Sequence, residues 1–540
     1  MITRSFIKKS ALLATAIAGV LYVSSLRAAG TTYYIDFVNG VDTNNGTTKA
    51  TPWKHAPGML GCASACNAKV PGAGDQFILK GGVTWPNASL GWQWSWNGSG
   101  TTSSPGCAGS GCIYIGVDQT WFTGASWARP ILNGGGAAVA APPNGVANVI
   151  LRLYASYVIV DNIEFTGVFW TGIPAFGTGA NIQIAGGTPG VGTNLELKNL
   201  YIHGWSHGTV GAGTSENPCG IVGDTGIPNN NVNTIIHDSV IDGSDTDKAS
   251  CSAIFGSPPI IQHNFLNFVS SGAIINGTVL VDGNTITNIP KSFDPNAHTN
   301  GVEINATRNV TISNNFMGHL GSGTLAIWCA PDATFACTIF NNVIFDTDTG
   351  NVLDLAAPGT NNGCANNGTY CLSGGSAVLY NNTVECGPDS GPNAVCAAGI
   401  NSAMSAVTLE NNHFITNATS PNNGVWSTNG PTPTLTTNIL QNKATANTQG
   451  YTSAQASPFS PTTGGATITA GTNLTSLCSS IPGLCQDSSI GVTMNATNHT
   501  VVSPQRTPAA RPSSGAWDVG AYRFSVGGTL SAPTNLRIVG

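Results

Sequence analysis

In 540 residues Gly (68) and Pro (30) are abundant, while Asp, Glu, Lys and Arg together make up only 8%, against about 25% in an ordinary globular chain. Helical bundles and coiled coils need Lys and Glu on their solvent faces, so the deficit excludes them. Asn, Thr, Ser and Gly fill the polar positions instead, and these are residues of turns and β-arcs. A formal charge of −6 speaks against nucleic acid as a partner, and an anionic polysaccharide would have to be met by a local basic spot.

The chain opens with Arg4, Lys8 and Lys9, an apolar run from Ala11 to Leu26, and the small residues Ala28 and Ala29. This is the pattern of a cleaved bacterial export signal over 1–29. It predicts a secreted or cell-surface protein with no membrane span after cleavage. The same count gives a charge of −10 once Arg4, Lys8, Lys9 and Arg27 are gone. All 14 cysteines fall into close sequential pairs: 62/66, 107/112, 219/251, 329/337, 364/371, 386/396 and 478/485. An even count in an exported chain suggests disulfides, local ones if neighbours pair. The absence of Cys-x-x-Cys speaks against metal binding.

Residues 30–150 read as first coils and an N-terminal cap. The run TTYYIDFVNGVDTNNGTTKATPWKHAPGM (31–59) leads to GDQFILKGGVTW (74–85). Asp and Asn in DFVNGVDTNNG (36–46) make Ca²⁺ a candidate cofactor, although EF-hand spacing is missing. Trp85, Trp92, Trp94, Trp96, Trp121 and Trp127 hold half of the 12 tryptophans. They suit a plug over the open end of a repeat core, or a stacking surface for sugars.

From 151 to 420 one motif recurs: an apolar-alternating strand, a polar corner, then a second short strand. It is seen in VIVDNIEF (158–165), IIQHNFL (260–266), VTISNNFM (310–317) and VTLENNHF (407–414). The corner residues read as Asn162, Asn199, Asp238, Asn264, Asn284, Asn315, Asn342, Asn382 and Asn412. Strands too short to bury a face alone gain a core by stacking. An Asn at the same corner of each coil can pass hydrogen bonds along the stack. A further apolar segment follows several corners, as in NGVEINA (300–306), TLAIWCA (324–330) and NVLDLAA (351–357). Three segments per coil predict an all-β, right-handed parallel β-helix. Residues 421–526 read as irregular C-terminal coils and 527–540 as a tail; SAPTNLRIVG (531–540) resembles the first strand of a fibronectin type III module.

The Tyr-rich opening with its Pro-Trp, the corner repeat and the ending RPSSGAWDVGAYRF (511–524) resemble exported bacterial β-helix proteins of the pectin-lyase-like superfamily. The resemblance implies that fold and a polysaccharide partner, for a lyase or glycoside hydrolase. It matches no characterised enzyme family. Of the polygalacturonase signatures only partial echoes occur, Ser206-His207-Gly208 and Asp245-Thr246-Asp247, and the pectate-lyase signatures are missing.

Chemistry is expected in the longest polar insertion, NIPKSFDPNAHTNGVEI (288–304). Its His-x-Asn-Gly-Val-Glu run resembles a segment of carbohydrate-active β-helices. Lys291, Asp294, His298 and Glu303 are the candidate catalytic residues. His298 would be acid or base, with the carboxylates orienting it or binding a cation. Aligning successive segments puts Glu303, Trp328 and Asp354 one above the other, a sugar subsite that Asn300 would join. A second cluster offers His203, Trp205 and His207. The rival reading is a non-catalytic glycan-binding, adhesin or filament-forming surface protein, in which self-assembly would be a function.

Overall fold

The computed structural model describes residues 30–524 apart from 91–93, 102–105, 108–109, 137, 140–147, 171–178, 185–190, 208–216, 224–230, 244–250, 277–279, 290–298, 307, 322–323, 332–333, 348–350, 356–374, 387–396, 401–403, 417–425, 428–429 and 505. Some side chains in strands also lie outside that description, Asp354 and His207 among them. So do the expected signal peptide, the tail, and the cysteine pairs 219/251 and 364/371.

Short alternating strands recur in threes, and each pairs in parallel with its counterpart one coil on. Among the described residues this gives a first sheet of 13 strands, a second of 12 and a third of 11. The chain is a right-handed parallel β-helix, the hand that parallel crossovers adopt. Rungs begin at Thr32–Ile35, so residues 86–150 supply rungs of all three sheets and do not interrupt the solenoid. Every second residue points into the bore: Val302, Ile304, Ile327, Cys329, Leu353 and Leu355 belong to one continuous buried core. Trp53, Trp85, Trp94 and Trp96 fill its N-terminal end, and Cys66 of the short helix Ser64–Ala68 packs on them. Trp85, Trp94 and Trp96 are expected members of this cap and Trp53 is not; Trp121 and Trp127 instead pack on Tyr34 and Phe122 apart from that core, and Trp92 lies outside the described residues.

The corner between first and second sheets carries the ladder. In the run Asn264, Asn284, Asn315, Asn342, Asn382, Asn412 and Asn438, every member after the first accepts, at Oδ1, the backbone N–H and the side-chain Nδ2 of the preceding one. Each Nδ2 also donates to a carbonyl of the coil before, as Asn342 does to Ile312 (2.9 Å). Ser239 starts the run, donating its N–H to Asn264 Oδ1 (3.1 Å).

The structure corrects three corner assignments. Asn162, Asn199 and Asp238 sit one residue earlier, at positive φ of 61°, 54° and 50°. Asn and Asp suit that left-handed bend because their short polar side chains tolerate it. The sequence motif thus merges two columns, one bending the chain and one carrying the ladder.

After the last second-sheet strand, Ile439–Asn442, the chain turns back along the outside. Tyr451, Phe459 and Tyr522 pack on Phe316, Val343 and Phe345 of the second sheet, and Leu474, Leu484 and Trp517 on Phe340 and Tyr380 of the first. The return reaches Arg129, which donates to the carbonyls of Asn498 (2.5 Å) and His499 (3.2 Å). The closing motif is knitted by buried Arg511, which donates to the carbonyls of Asp518 and Gly520 and to Asn341 Oδ1.

Disulfides join Cys62–Cys66, Cys107–Cys112, Cys329–Cys337 and Cys478–Cys485, each between expected neighbours. Among the described residues no helix is long and apolar enough to cross a membrane.

The two corner columns predict opposite outcomes. Asn342→Ala strips its neighbours of buried partners and is expected to cost about 3 kcal/mol or more, at about 1–3 kcal/mol per orphaned group. Asn381, at φ 53°, has a buried amide whose oxygen and nitrogen find no partner among the described residues. Asn381→Gly removes those unpaired groups at a φ that glycine adopts freely, and should leave stability unchanged or raise it. Urea unfolding followed by circular dichroism measures both, and equal losses would contradict the two-column account.

Candidate functional site

The third sheet receives its strands from loops on both sides, so residues on its outer face are those an inserted loop can wall. Val302 and Ile304 enter the bore, which turns Glu303 outward between them. Glu303 pairs with Trp328, and Trp328 with Asp354, in the parallel register. The expected column is therefore present in the backbone. Asn300, on the same strand Thr299–Ala306, donates through Nδ2 to Glu303 Oε2 (2.6 Å). Glu303 is only 6% exposed, and Trp328 beside it is half-buried. A fixed, largely desolvated carboxylate next to an indole can exchange a proton with a bound sugar and stack its ring. Lys291, Asp294 and His298 precede this strand in sequence and lie outside the described residues.

Farther toward the N-terminus part of the outer face of the third sheet is apolar. Val149, Ala180, Val222 and Phe255 form a buried cluster there. Beyond Val222 the same register column is polar again, with Gln183, Arg152 and Ser95, so an apolar interval bounds the polar rungs around 299–355 on that side.

The second cluster is not part of this place. Trp205 follows Gly204, whose φ of 62° turns the chain, and the indole enters the core at 1% exposure. Its expected sugar contact is corrected by that burial. His203 lies on the outer face of the second sheet, bonded through Nε2 to Glu164 Oε1 (3.0 Å). There Tyr201 is sandwiched between the rings of His203 (4.0 Å) and His499 of the C-terminal return (4.2 Å). The His207 side chain lies outside the described residues. The Ca²⁺ candidate loop is held by its own bonds: Asp36 accepts from Lys80 (2.8 Å) and Asp42 meets His55 (2.7 Å). Among the described residues no group of three or more His, Cys, Asp or Glu could hold a metal ion.

Sequence reasoning missed a charged network on the outer face of the first sheet. His237 Nδ1 meets Asp238 Oδ2 (2.7 Å) and its Nε2 meets Glu196 Oε1 (3.2 Å). Lys198 also reaches Glu196 (2.6 Å). Burial alone would lower the His237 pKa, but the bonds to Asp238 and Glu196 outweigh it and push it up to about 9. Glu196 is in turn held below the usual carboxylate range: burial raises it, and His237 and Lys198 overcome that. The charged residues in LELKNL (195–200) and IIHDSV (235–240) were visible, but only rung pairing joins them: Glu196 opposes Ile235 and Lys198 opposes His237.

No protein-family model matches the chain, and no curated protein matches it either. Among solved structures, a pectate lyase overlays at TM-score 0.38 and 14% identity, covering 92% of this chain and 98% of that one. A rhamnogalacturonan lyase gives 0.36 and 13%, over 77% and 88%. A mannuronic-acid-specific family 6 polysaccharide lyase from the human gut microbiota gives 0.39 and 11%, over 68% and 78%. These overlays are too distant to bear on chemistry, and the fold stands on the chain's own three sheets.

His237 carries a pH prediction. Its folded pKa lies above the ordinary 6.5, so its contribution to stability is complete below pH 6.5 and is lost as pH rises through about 9. Unfolding midpoints should fall over that window in the wild type, and His237→Gln should remove that component of the fall. An unchanged slope in the variant would contradict the assignment.

Proposed function

We propose that this chain is an exported protein that hydrolyses a polysaccharide lying across the outer face of its third sheet, with Glu303 and Asp354 as the acid–base pair. The observation that carries the reading is the register Glu303–Trp328–Asp354, with Asn300 bonded to Glu303. Strands in a sheet lie about 4.8 Å apart, so two rungs set the backbones of the two carboxylates about 9.6 Å apart. That is at the upper limit of the range, about 6.5–9.5 Å, by which inverting glycosidases separate their carboxyl groups to leave room for water. In this reading Trp328 lies between them as the platform for the sugar at the point of cleavage. Asn300 keeps the Glu303 carboxylate turned to the substrate. His298, one residue before the strand, with Asp294 and Lys291 upstream, would supply the wall and further proton transfer. Four local disulfides and a leader-like N-terminus support an extracellular setting.

Purified protein is screened against pectin, alginate, rhamnogalacturonan and xylan, following both new reducing ends and the ultraviolet absorbance of unsaturated sugars. The expected result is reducing ends without that absorbance on at least one substrate. Glu303→Gln and Asp354→Asn should each lower kcat by about 100-fold or more, as removal of an acid or base does. Trp328→Ala should act mainly on KM, and His298→Ala should reduce turnover. Unsaturated products would replace hydrolysis by elimination. Silence on every substrate would overturn the enzymatic reading in favour of a binding or structural surface protein.

A further inference from the structure

We propose that the outer face of the first sheet, near its N-terminal end, is a second saccharide-binding site, shaped for an uncharged pyranose and not for a uronate. An open groove of about 520 Å³ lies there, lined by Tyr34, Gln76, Tyr114, Asp118, Asp161 and Lys198 among others. These side chains come from successive rungs, Gln76 opposing Tyr114 and Asp161 opposing Lys198. The floor depends on Gly116. A Cβ there would come within 2.5 Å of the Tyr114 Cζ and hydroxyl oxygen. Its absence lets the phenol lie across the rung and donate its hydroxyl to Asp161 Oδ2 (3.0 Å). A tyrosine held in one rotamer offers rigid amphipathic area at little entropic cost, which is what stacking on a sugar ring needs.

The polar lining is rich in acceptors. Asp161 Oδ1 already takes a bond from Asn199 Nδ2 (2.7 Å), yet each carboxylate oxygen has two lone-pair positions and keeps capacity for a hydroxyl. Asp118 is anchored by Lys49 (2.6 Å) and by the Thr120 hydroxyl (2.6 Å). Gln76 and Gln119 add amides that both donate and accept. Lys198, the groove's one ammonium, is engaged by Glu196. With Lys49 answering Asp118 and Glu196 answering Lys198, the charge of Asp161 is left over; it repels a uronate and favours the hydroxyls of a neutral sugar. The ligand class rests on the polysaccharide reading above, whereas the groove lies on a different sheet from Glu303. Binding here would hold the polymer while the third sheet acts on it.

Affinity electrophoresis of the full chain through gels containing xylan, galactan, β-glucan or polygalacturonate tests this. Retardation by at least one neutral glycan and none by polygalacturonate is expected. Tyr114→Ala and Gln76→Ala should each weaken the apparent Kd about tenfold, with turnover of short soluble oligosaccharides unchanged. Glu303→Gln should be retarded like the wild type. Gln76→Ala, a polar replacement on the outer face, serves if Tyr114→Ala does not fold. No retardation in any neutral glycan, retardation by polygalacturonate alone, or retardation unchanged in both variants would overturn the site. Groove-dependent retardation without any turnover would instead remove the hydrolase reading and leave this site standing.

Discussion

A buried asparagine amide costs stability wherever its donors and acceptors go unmet. In the column from Asn264 to Asn438 the partners come from the coils on either side. No coil can satisfy its own corner, so the ladder makes each coil depend on its neighbours and fixes their stacking register. Because side chains alternate between faces, a one-residue slip would carry every outward residue into the bore. The ladder therefore governs the outside of the molecule as well as the inside. Glu303 lies under Trp328 because the corners are locked.

The three outer faces have different fates. The C-terminal return covers much of the second sheet and the C-terminal part of the first with Tyr451, Phe459, Tyr522 and Trp517. That leaves the N-terminal part of the first sheet, with its Tyr114 groove, and the third sheet, which is sealed by apolar residues near Val222 and polar around Glu303. A solenoid whose return segment masks much of one face and only part of another has room for two separate contacts with a long polymer.

Much of this was legible in the sequence because the β-helix repeats its chemistry. Alternation placed the strands, local cysteine spacing matched all four described bridges, and alignment of NGVEINA, TLAIWCA and NVLDLAA placed Glu303, Trp328 and Asp354 in one column. The corner was misread where two adjacent columns use the same residue type: Asn199 bends the chain, whereas Asn315 carries the ladder. Trp205 was misplaced because Gly204 reverses the alternation that sends His203 outward. The Arg511 clasp, the return over the second sheet and the first-sheet groove were invisible. Each depends on contacts between residues tens to hundreds of positions apart, such as Arg129 with Asn498.

The most direct test of the central claim is a crystal structure of Glu303→Gln soaked with an oligosaccharide of whichever glycan the protein recognises. The account predicts a sugar chain crossing the strands Thr299–Ala306, Thr324–Pro331 and Asn351–Leu355, with one ring stacked on Trp328. An oligosaccharide bound only at other faces, with the Trp328 ring uncovered, would contradict it.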